Sequence, residues 1–219
     1  MRIAIAGAGN AGRAIARELI ANGHQVLLID KNPKALKMES VPSAEWLLAD
    51  ACEISALDKA KLDICQVMVA ATGDDKVNLV SSLLAKTEYG VPRVVARVNH
   101  PKNEWLFDSS WGVDVAVSTP RIIAALVEEA VSVGDVVRLF SLKAGQANLV
   151  ELTLPDNSIC IGKSVAEVQL PEDASLAAII RDSHVITPSA HDVFSAGDEL
   201  IFVASAKAEE LLKSCFVAN

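Results

Sequence analysis

The chain has 219 residues, enough for one large or two small domains with a hydrophobic core. Its mean hydropathy is high, +0.32, but the apolar residues occur in short runs, and none reaches the roughly 18 to 20 residues of a membrane span. The net charge is −8, and residues 135–219 carry 6 Lys and Arg against 12 Asp and Glu. From the short apolar runs we expect a cytoplasmic chain with no direct membrane insertion. We also expect no nucleic-acid partner, because neither half has the basic face that a polyphosphate backbone requires.

The first 30 residues predict a strand, a glycine-rich loop, a helix and a second strand, in that order. Residues 2–6 form a short apolar run suited to a buried strand, and residues 7–12 read G-x-G-x-x-G. Residues 13–22 have helical spacing and are stopped by Gly23, after which a second apolar run ends at Asp30.

Each part of this segment suits the binding of an adenine nucleotide. Gly7 allows a tight turn, Gly9 lets the backbone approach a pyrophosphate, and Gly12 lets the helix pack closely. The unpaired N–H groups and the dipole at the start of the helix favour a phosphate there. The carboxylate of Asp30 is placed to accept hydrogen bonds from a ribose hydroxyl. The alternative is a glycine-rich turn in a fold that binds no nucleotide.

The following residues continue the alternation of strands and helices. Further strands are predicted at residues 46–49, 67–71, 93–98 and 113–117, and helices at residues 33–38, 57–62, 78–86 and 105–109. Six strands with short connections predict an α/β fold, a Rossmann-like doubly wound parallel sheet.

Ligands of such sheets bind beyond the carboxyl ends of the strands, where the strand order reverses. The residues that this rule selects lie at predicted strand ends: Gly7, Gly9, Asn10, Asp30, Asp50, Thr72, Gly73 and Asp74. For Asp50 and Asp74 the alternative is that each carboxylate caps the following helix.

A long, apolar helix is predicted at residues 120–133, and it ends at Gly134. It lies where a linker between domains is expected, and its apolar face predicts packing against a second subunit. We place the domain boundary here, with a nucleotide-binding domain at residues 1–134 and a small α+β domain at residues 135–219. In the latter, strands are predicted at residues 136–142, 149–154, 176–181, 184–186 and 199–204, with helices at residues 164–168 and 206–215.

The four cysteines are far apart in sequence and form no C-x-x-C motif. We expect reduced thiols and no metal site.

The motifs together resemble the RCK (regulator of potassium conductance) family, the cytosolic TrkA/KtrA-type subunits of bacterial potassium uptake systems. The resemblance covers essentially the whole chain. It rests on I-A-G-A-G-N-A-G at residues 5–12, V-A-A-T-G-D-D at 69–75, A-R-V-N-H-P at 96–101, V-D-V-A-V-S-T-P-R at 113–121 and S-A-G-D-E-L-I-F-V at 195–203.

This resemblance implies a binding site for NAD(H), ADP, ATP or AMP. Its implied residues are Gly7, Gly9, Asn10, Ala11, Gly12, Asp30, Lys31, Asp50, Ala51, Thr72, Gly73, Asp74, Asn78 and Arg97. Among them Asp50 is implied to contact the base, and Arg97 to lie near the phosphates, with a structural salt bridge as the alternative for Arg97. Asn10 and Arg121 stand where some members carry Arg and Glu, which favours NAD(H), ADP or AMP over ATP.

The resemblance also implies a regulatory role without catalysis. The expected partners are a Trk/Ktr-type membrane potassium transporter or channel subunit and further copies of the chain, as a dimer or a ring. The protein is then peripheral at the inner face of the membrane, and its C-terminal domain is a candidate site for a second ligand such as cyclic di-AMP. The alternative function is an NAD-dependent oxidoreductase, for which His100 is the only candidate acid, because Tyr89 is the sole tyrosine and lacks the Tyr-x-x-x-Lys pattern.

Overall fold

The computed structural model describes residues 1–131, 133–142 and 147–217. The chain divides into two compact units, Met1–Pro120 and Arg121–Asn219. The helices of three turns or more and the strands are β1 (Arg2–Ala6), α1 (Asn10–Ala21), β2 (Gln25–Asp30), β3 (Glu45–Leu48), β4 (Val67–Ala70), α3 (Asp75–Thr87), β5 (Arg93–Val98), β6 (Val115–Ser118), α4 (Thr119–Val131), β7 (Val136–Leu142), β8 (Ala147–Thr153), β9 (Ala174–Arg181), β10 (His184–Ile186), β11 (Glu199–Ala204) and α5 (Ala206–Phe216). A shorter helix, α2, spans Ile54–Lys59.

The first unit contains a six-stranded parallel sheet in the order β3-β2-β1-β4-β5-β6. This confirms the predicted Rossmann-like fold. The strand order reverses between β1 and β4, so the carboxyl ends of these two strands border the crevice in which such sheets bind ligands.

The central strands of this sheet are buried on both faces. In β1, the side chains from Ile3 to Ala6 are at most 3% exposed, and in β2 those from Val26 to Ile29 are at most 4% exposed. Covered parallel strands have continuous apolar runs, which is why the sequence predicts these two so closely.

Several predicted helices are shorter or begin elsewhere. Helix α3 begins at Asp75 instead of residue 78, because Asp74 caps it by accepting a hydrogen bond from the main-chain N–H of Lys76. Helix α2 spans Ile54–Lys59 instead of the predicted residues 57–62. Lys61 follows it in a left-handed conformation with φ of 51°.

Four helical predictions correspond to 3₁₀ turns or to a shorter helix. Residues 105–109 form no α-helix; the 3₁₀ segments Pro101–Leu106 and Ser109–Trp111 lie there instead. The predictions at residues 33–38 and 164–168 likewise become 3₁₀ turns. Helix α4 is described as far as Val131, and residue 132 of the predicted helix lies outside the described residues.

The second unit contains a five-stranded antiparallel sheet in the order β10-β9-β11-β8-β7. Its core includes Phe194, Phe202 and Phe216. The ring centroid of Phe216 lies 5.7 Å from that of Phe194 and 5.6 Å from that of Phe202. Phe216 belongs to α5, so this helix covers the sheet, and the predicted small α+β domain is confirmed. The charge of Asp198, which is fully buried, is met by two hydrogen bonds of 2.6 and 2.7 Å from Arg181.

Candidate functional site

A cavity of about 650 Å³ lies at the carboxyl edge of the parallel sheet. Its volume falls within the range of about 300 to 1,000 Å³ that is usual for ligand sites. The cavity is lined by Gly7, Gly9, Asn10, Ala11, Ile29, Asp30, Lys31, Asn32, Ala49, Asp50, Ala51, Ala71, Thr72, Gly73, Asp74, Val77 and Arg97.

All of the predicted site residues except Gly12 and Asn78 line this cavity. The lining residues that the sequence reasoning missed are Ile29, Asn32, Ala49, Ala71 and Val77. Most of these are apolar residues next to predicted ones at strand ends. Their positions in the sequence could have identified them as lining residues, but their side-chain chemistry could not.

The three glycines of the G-x-G-x-x-G motif occupy different surroundings. Gly7 has φ of +104°, and a Cβ there would lie 2.9 Å from the main-chain nitrogen of Thr72. A Cβ on Gly12 would lie 1.9 Å from the carbonyl oxygen of Gly7, so the helix can approach the loop only without a side chain. A Cβ on Gly9 would meet nothing within 4 Å and would project into open space.

Helix α1 begins beside this open space. Gly9 is its N-cap, and no side chain there accepts a hydrogen bond from the first turn. The N–H groups at the start of the helix are therefore available to an anion, and the helix dipole adds partial positive charge.

Asp30 holds the glycine loop against the end of β2. One carboxylate oxygen accepts a hydrogen bond of 2.8 Å from the main-chain N–H of Ala8, and the other accepts one of 2.8 Å from that of Asn32. Each carboxylate oxygen can accept a further bond, so this arrangement leaves capacity for a ligand hydroxyl.

Arg13 is a loop contact that the sequence reasoning missed. Its guanidinium donates to the carbonyl oxygen of Ala8 at 2.5 Å and to Oδ1 of Asn10 at 2.7 Å. It therefore fixes both the main chain and the Asn10 side chain of the loop. No sequence pattern distinguishes it from other arginines on a helix.

Lys31 and Asp50 join the ends of β2 and β3 through an ion pair of 3.2 Å. A backbone hydrogen bond from Cys52 lowers the pKa of Asp50, and Lys31 lowers it further. The neighbouring Cys52 is the opposite case, because burial and the charge of Asp50 raise its pKa to about 11. This thiol is therefore protonated and unreactive at neutral pH.

The two capping alternatives have different outcomes. Asp74 caps α3 and also lines the cavity. Asp50 accepts a hydrogen bond of 3.0 Å from the N–H of Cys52 in the turn before α2, whose N-cap is Glu53.

On the β4–β5 side, Thr72 and Arg97 line the cavity, whereas Asn78 is fully buried behind them. The Nε atom of Arg97 is buried without a hydrogen-bond partner among the described residues. Arg97 also forms no ion pair within this part of the chain, so the salt-bridge alternative finds no partner there.

Residues 1–131, 133–142 and 147–217 contain no group of three His, Cys, Asp or Glu side chains that could hold a metal ion. Within the same ranges, no helix has the length and apolar character needed to cross a membrane.

Comparison with known proteins places both units in described families. The TrkA-N domain model matches residues 3–119, and the TrkA-C domain model matches residues 149–216. The chain is 58% identical over 212 residues to the Trk system potassium uptake protein TrkA of Mycobacterium tuberculosis, covering 97% of this chain and 96% of that protein.

Solved structures share the fold. The chain aligns with a GsuK channel bound to NAD with a TM-score of 0.63 and 17% identity, covering 100% of this chain and 40% of the channel chain. It aligns with the AMP-bound form of the Shewanella denitrificans Kef CTD with a TM-score of 0.52 and 24% identity, covering 59% of this chain and 79% of that one. The two domain matches and the near full-length relative lead to one conclusion: the chain belongs to the TrkA family of potassium uptake proteins.

Proposed function

We propose that this protein is the cytosolic, nucleotide-sensing regulatory subunit of a potassium uptake channel or transporter. Binding of NAD(H) or another adenine nucleotide in the cavity changes the assembly of subunits and thereby gates ion flux through a membrane partner. The observation that carries the proposal is a cavity built around a glycine loop and Asp30, in a chain that is 58% identical to a relative named for potassium uptake.

The cavity walls fit a nucleotide in three respects. The open space at Gly9 and the uncapped start of α1 suit a phosphate, and the free capacity of Asp30 suits a ribose hydroxyl. The buried, unpartnered Nε of Arg97 suits an anionic or carbonyl oxygen. We assign the phosphates to the loop, the ribose to Asp30 and the base side to Asp50.

The charges of the cavity favour NAD(H), ADP or AMP over ATP. Of the cations that line it, Lys31 is already paired with Asp50, which leaves Arg97 as the lining cation without an ion pair among the described residues. The loop position Asn10 adds no charge. A triphosphate would need more positive charge than this.

A nucleotide can shift the assembly only through different affinities for two conformations. We place self-association at α4, where Ile123, Leu126, Val127 and Val131 are exposed. We keep the functional boundary between residues 134 and 135. The membrane partner is a potassium channel or transporter subunit, and the protein is peripheral to it at the cytoplasmic face. The name of the Mycobacterium relative supports this assignment.

The oxidoreductase alternative receives no support from the site. Hydride transfer to a carbonyl needs a positioned acid or base at the ligand. His100, the only candidate acid in that interpretation, is exposed and is not among the residues that line the cavity.

The proposal is tested first by isothermal titration of the full chain with NAD, NADH, ATP, ADP and AMP. We expect micromolar binding of at least one nucleotide and a loss of about tenfold or more in Asp30→Ala, since a charged hydrogen-bond partner is removed. Asp156→Ala, which removes an exposed carboxylate of the second unit, is the matched control. No measurable binding of any of the five nucleotides would refute nucleotide sensing.

Regulation is tested by potassium uptake in cells whose own copy is replaced by the wild-type chain, Asp30→Ala or Asp156→Ala. We expect Asp30→Ala to alter uptake and Asp156→Ala to match the wild type. Equal uptake with all three chains would contradict nucleotide control of the transporter.

A further inference from the structure

Asn78 lies in the first turns of α3 and is fully buried, although it does not line the cavity. Its side chain makes four hydrogen bonds within the protein. Oδ1 accepts from the main-chain N–H of Thr72 at 2.9 Å and from its hydroxyl at 2.6 Å. Nδ2 donates to the carbonyl oxygens of Thr72 at 3.2 Å and Arg97 at 2.8 Å. The amide has thus used its whole hydrogen-bonding capacity and has none left for a ligand.

These bonds join two strands at the point where their ladder stops. The last paired residues of β4 and β5 are Ala70 and Ala96. Thr72 lies two residues beyond the ladder and Arg97 one residue beyond, and both line the cavity. The hydrogen bonds of the Asn78 side chain therefore take the place of ladder hydrogen bonds beyond the last β4–β5 pair. They set the separation of Thr72 and Arg97, which together form one wall of the cavity.

Asp75 extends the same connection to the next turn. Its carboxylate accepts hydrogen bonds from the main-chain N–H of Asn99 at 2.7 Å, from that of His100 at 3.0 Å and from the side chain of Asn103 at 2.8 Å. The Asn99 side chain in turn donates to the carbonyl of Thr72 at 3.0 Å. The Thr72 and Arg97 wall is thereby held by Asn78 and, through the turn at Asn99, by Asp75.

We propose that Asn78 is a positioning residue that holds the Thr72 and Arg97 wall in its binding geometry, and that this wall selects nucleotides extending beyond their first phosphate. The inference rests on the proposed nucleotide site. Asp30 and Asp50 lie on the opposite side of the glycine loop, at the ends of β2 and β3. A nucleotide that ends at its first phosphate needs only that side and the loop, whereas a dinucleotide also needs the wall that Asn78 preorganises.

The test compares the affinities of the full chain for NAD and AMP in the wild type and in Asn78→Ala. We expect Asn78→Ala to weaken NAD binding by about tenfold or more and AMP binding by less than about threefold. The reason is that the hydrogen bonds that it removes position only the Thr72 and Arg97 wall. The ratio of the two affinities is the readout, since a general loss of structure lowers both together.

Two further variants keep the test decisive. Ser82→Ala removes a buried hydroxyl of the same helix that has no hydrogen-bond partner among the described residues, and we expect it to leave both affinities unchanged. Asn78→Asp is nearly isosteric and keeps the acceptor toward the N–H and hydroxyl of Thr72, but it loses the donor toward the carbonyl oxygens of Thr72 and Arg97. We expect it also to weaken NAD more than AMP, and it decides the matter if thermal melting shows that Asn78→Ala is unfolded.

The outcomes separate the two proposals. Nucleotide binding by the wild type with an unchanged NAD-to-AMP ratio in the folded Asn78 variants would overturn the positioning role and leave the sensor function standing. A wild-type chain that binds neither nucleotide would overturn both.

Discussion

Gly9 and Gly12 belong to the same G-x-G-x-x-G motif, the first at the N-cap of α1 and the second inside that helix, yet a methyl group has different consequences at each. At Gly12 the added Cβ would overlap the carbonyl oxygen of Gly7, and neither atom belongs to a flexible side chain. At Gly9 the φ of −68° is accessible to alanine, and the Cβ points into open space. Folding therefore constrains Gly12, whereas the proposed phosphate constrains Gly9.

We expect Gly12→Ala to lower the free energy of unfolding by about 1 to 3 kcal/mol through overpacking. Gly9→Ala is expected to change it by less than about 1 kcal/mol, because the lower entropy of the unfolded chain is offset by the weaker capping of α1 by alanine. It is still expected to abolish nucleotide binding. Urea denaturation and calorimetric titration measure the two effects. Normal nucleotide affinity in Gly9→Ala would show that no phosphate approaches this loop.

Asp75 makes stability depend on acid pH. Burial raises the pKa of its carboxyl, but the hydrogen bonds from Asn99, Asn103 and His100 outweigh burial and leave the pKa below the ordinary value of 3.8. A carboxylate with a lowered folded pKa contributes stability that is complete above its unfolded pKa. That contribution is lost as the pH falls through the folded pKa.

We expect Asp75→Asn to lower the free energy of unfolding at pH 7 by about 2 to 3 kcal/mol, because an amide group would face the donors of Asn99, His100 and Asn103. The difference from the wild type should shrink as the pH is lowered below about 4. Urea midpoints between pH 3 and 7 test this. Asp63→Asn, the same change at an exposed carboxylate, should leave the midpoints unaltered, and a difference for Asp75→Asn that is constant with pH would contradict the assignment.

At the element scale, α4 carries an apolar face that its own unit leaves uncovered. Ile123, Leu126, Val127 and Val131 are between 54% and 75% exposed. Their spacing of three, four and eight residues places them on one side of the helix. Water contact with this much apolar surface is unfavourable, so the face suits a second copy of the chain.

We expect Ile123→Glu combined with Val127→Glu to weaken self-association by about 100-fold or more, since two buried aliphatic side chains are worth about 3 kcal/mol or more and the charges oppose burial. Sedimentation velocity over a range of concentrations measures this. Leu211→Glu on α5, where the leucine is 50% exposed, is the matched control and should not change assembly. An unaltered sedimentation profile of the α4 variant would exclude this face as the dimer contact.

The elements that the sequence predicts best are those with one dominant physical cause. Continuous apolar burial defines β1 and β2, and the spacing of the glycines together with Asp30 defines the glycine motif. The 3₁₀ segments from Pro101 to Trp111 were missed, because they depend on the hydrogen bonds of Asp75 and Asp108 with residues nearby in space or sequence. The buried place of Asn78 depends in the same way on how β4 and β5 separate, which no local pattern records.

At the scale of the whole molecule, the two units have separate cores. Among the described residues, the clusters around β1, β4 and β5 contain none from the second unit, and the cluster with Phe194, Phe202 and Phe216 contains none from the first. Each unit therefore has a hydrophobic core of its own. Because cooperative unfolding requires shared contacts, we expect two unfolding transitions.

The positions of the tryptophans allow these transitions to be assigned. All three tryptophans, Trp46, Trp105 and Trp111, lie in the unit Met1–Pro120, so their fluorescence reports that unit alone. A nucleotide at 100 times its dissociation constant stabilises the unit that binds it by about 2.7 kcal/mol, which should raise the fluorescence midpoint by about 10 °C. Amide hydrogen exchange in β8 and β11 should be unchanged by the same ligand. Asp30→Ala should show no shift under identical conditions, and equal protection of both units in the wild type would mean that they unfold as one.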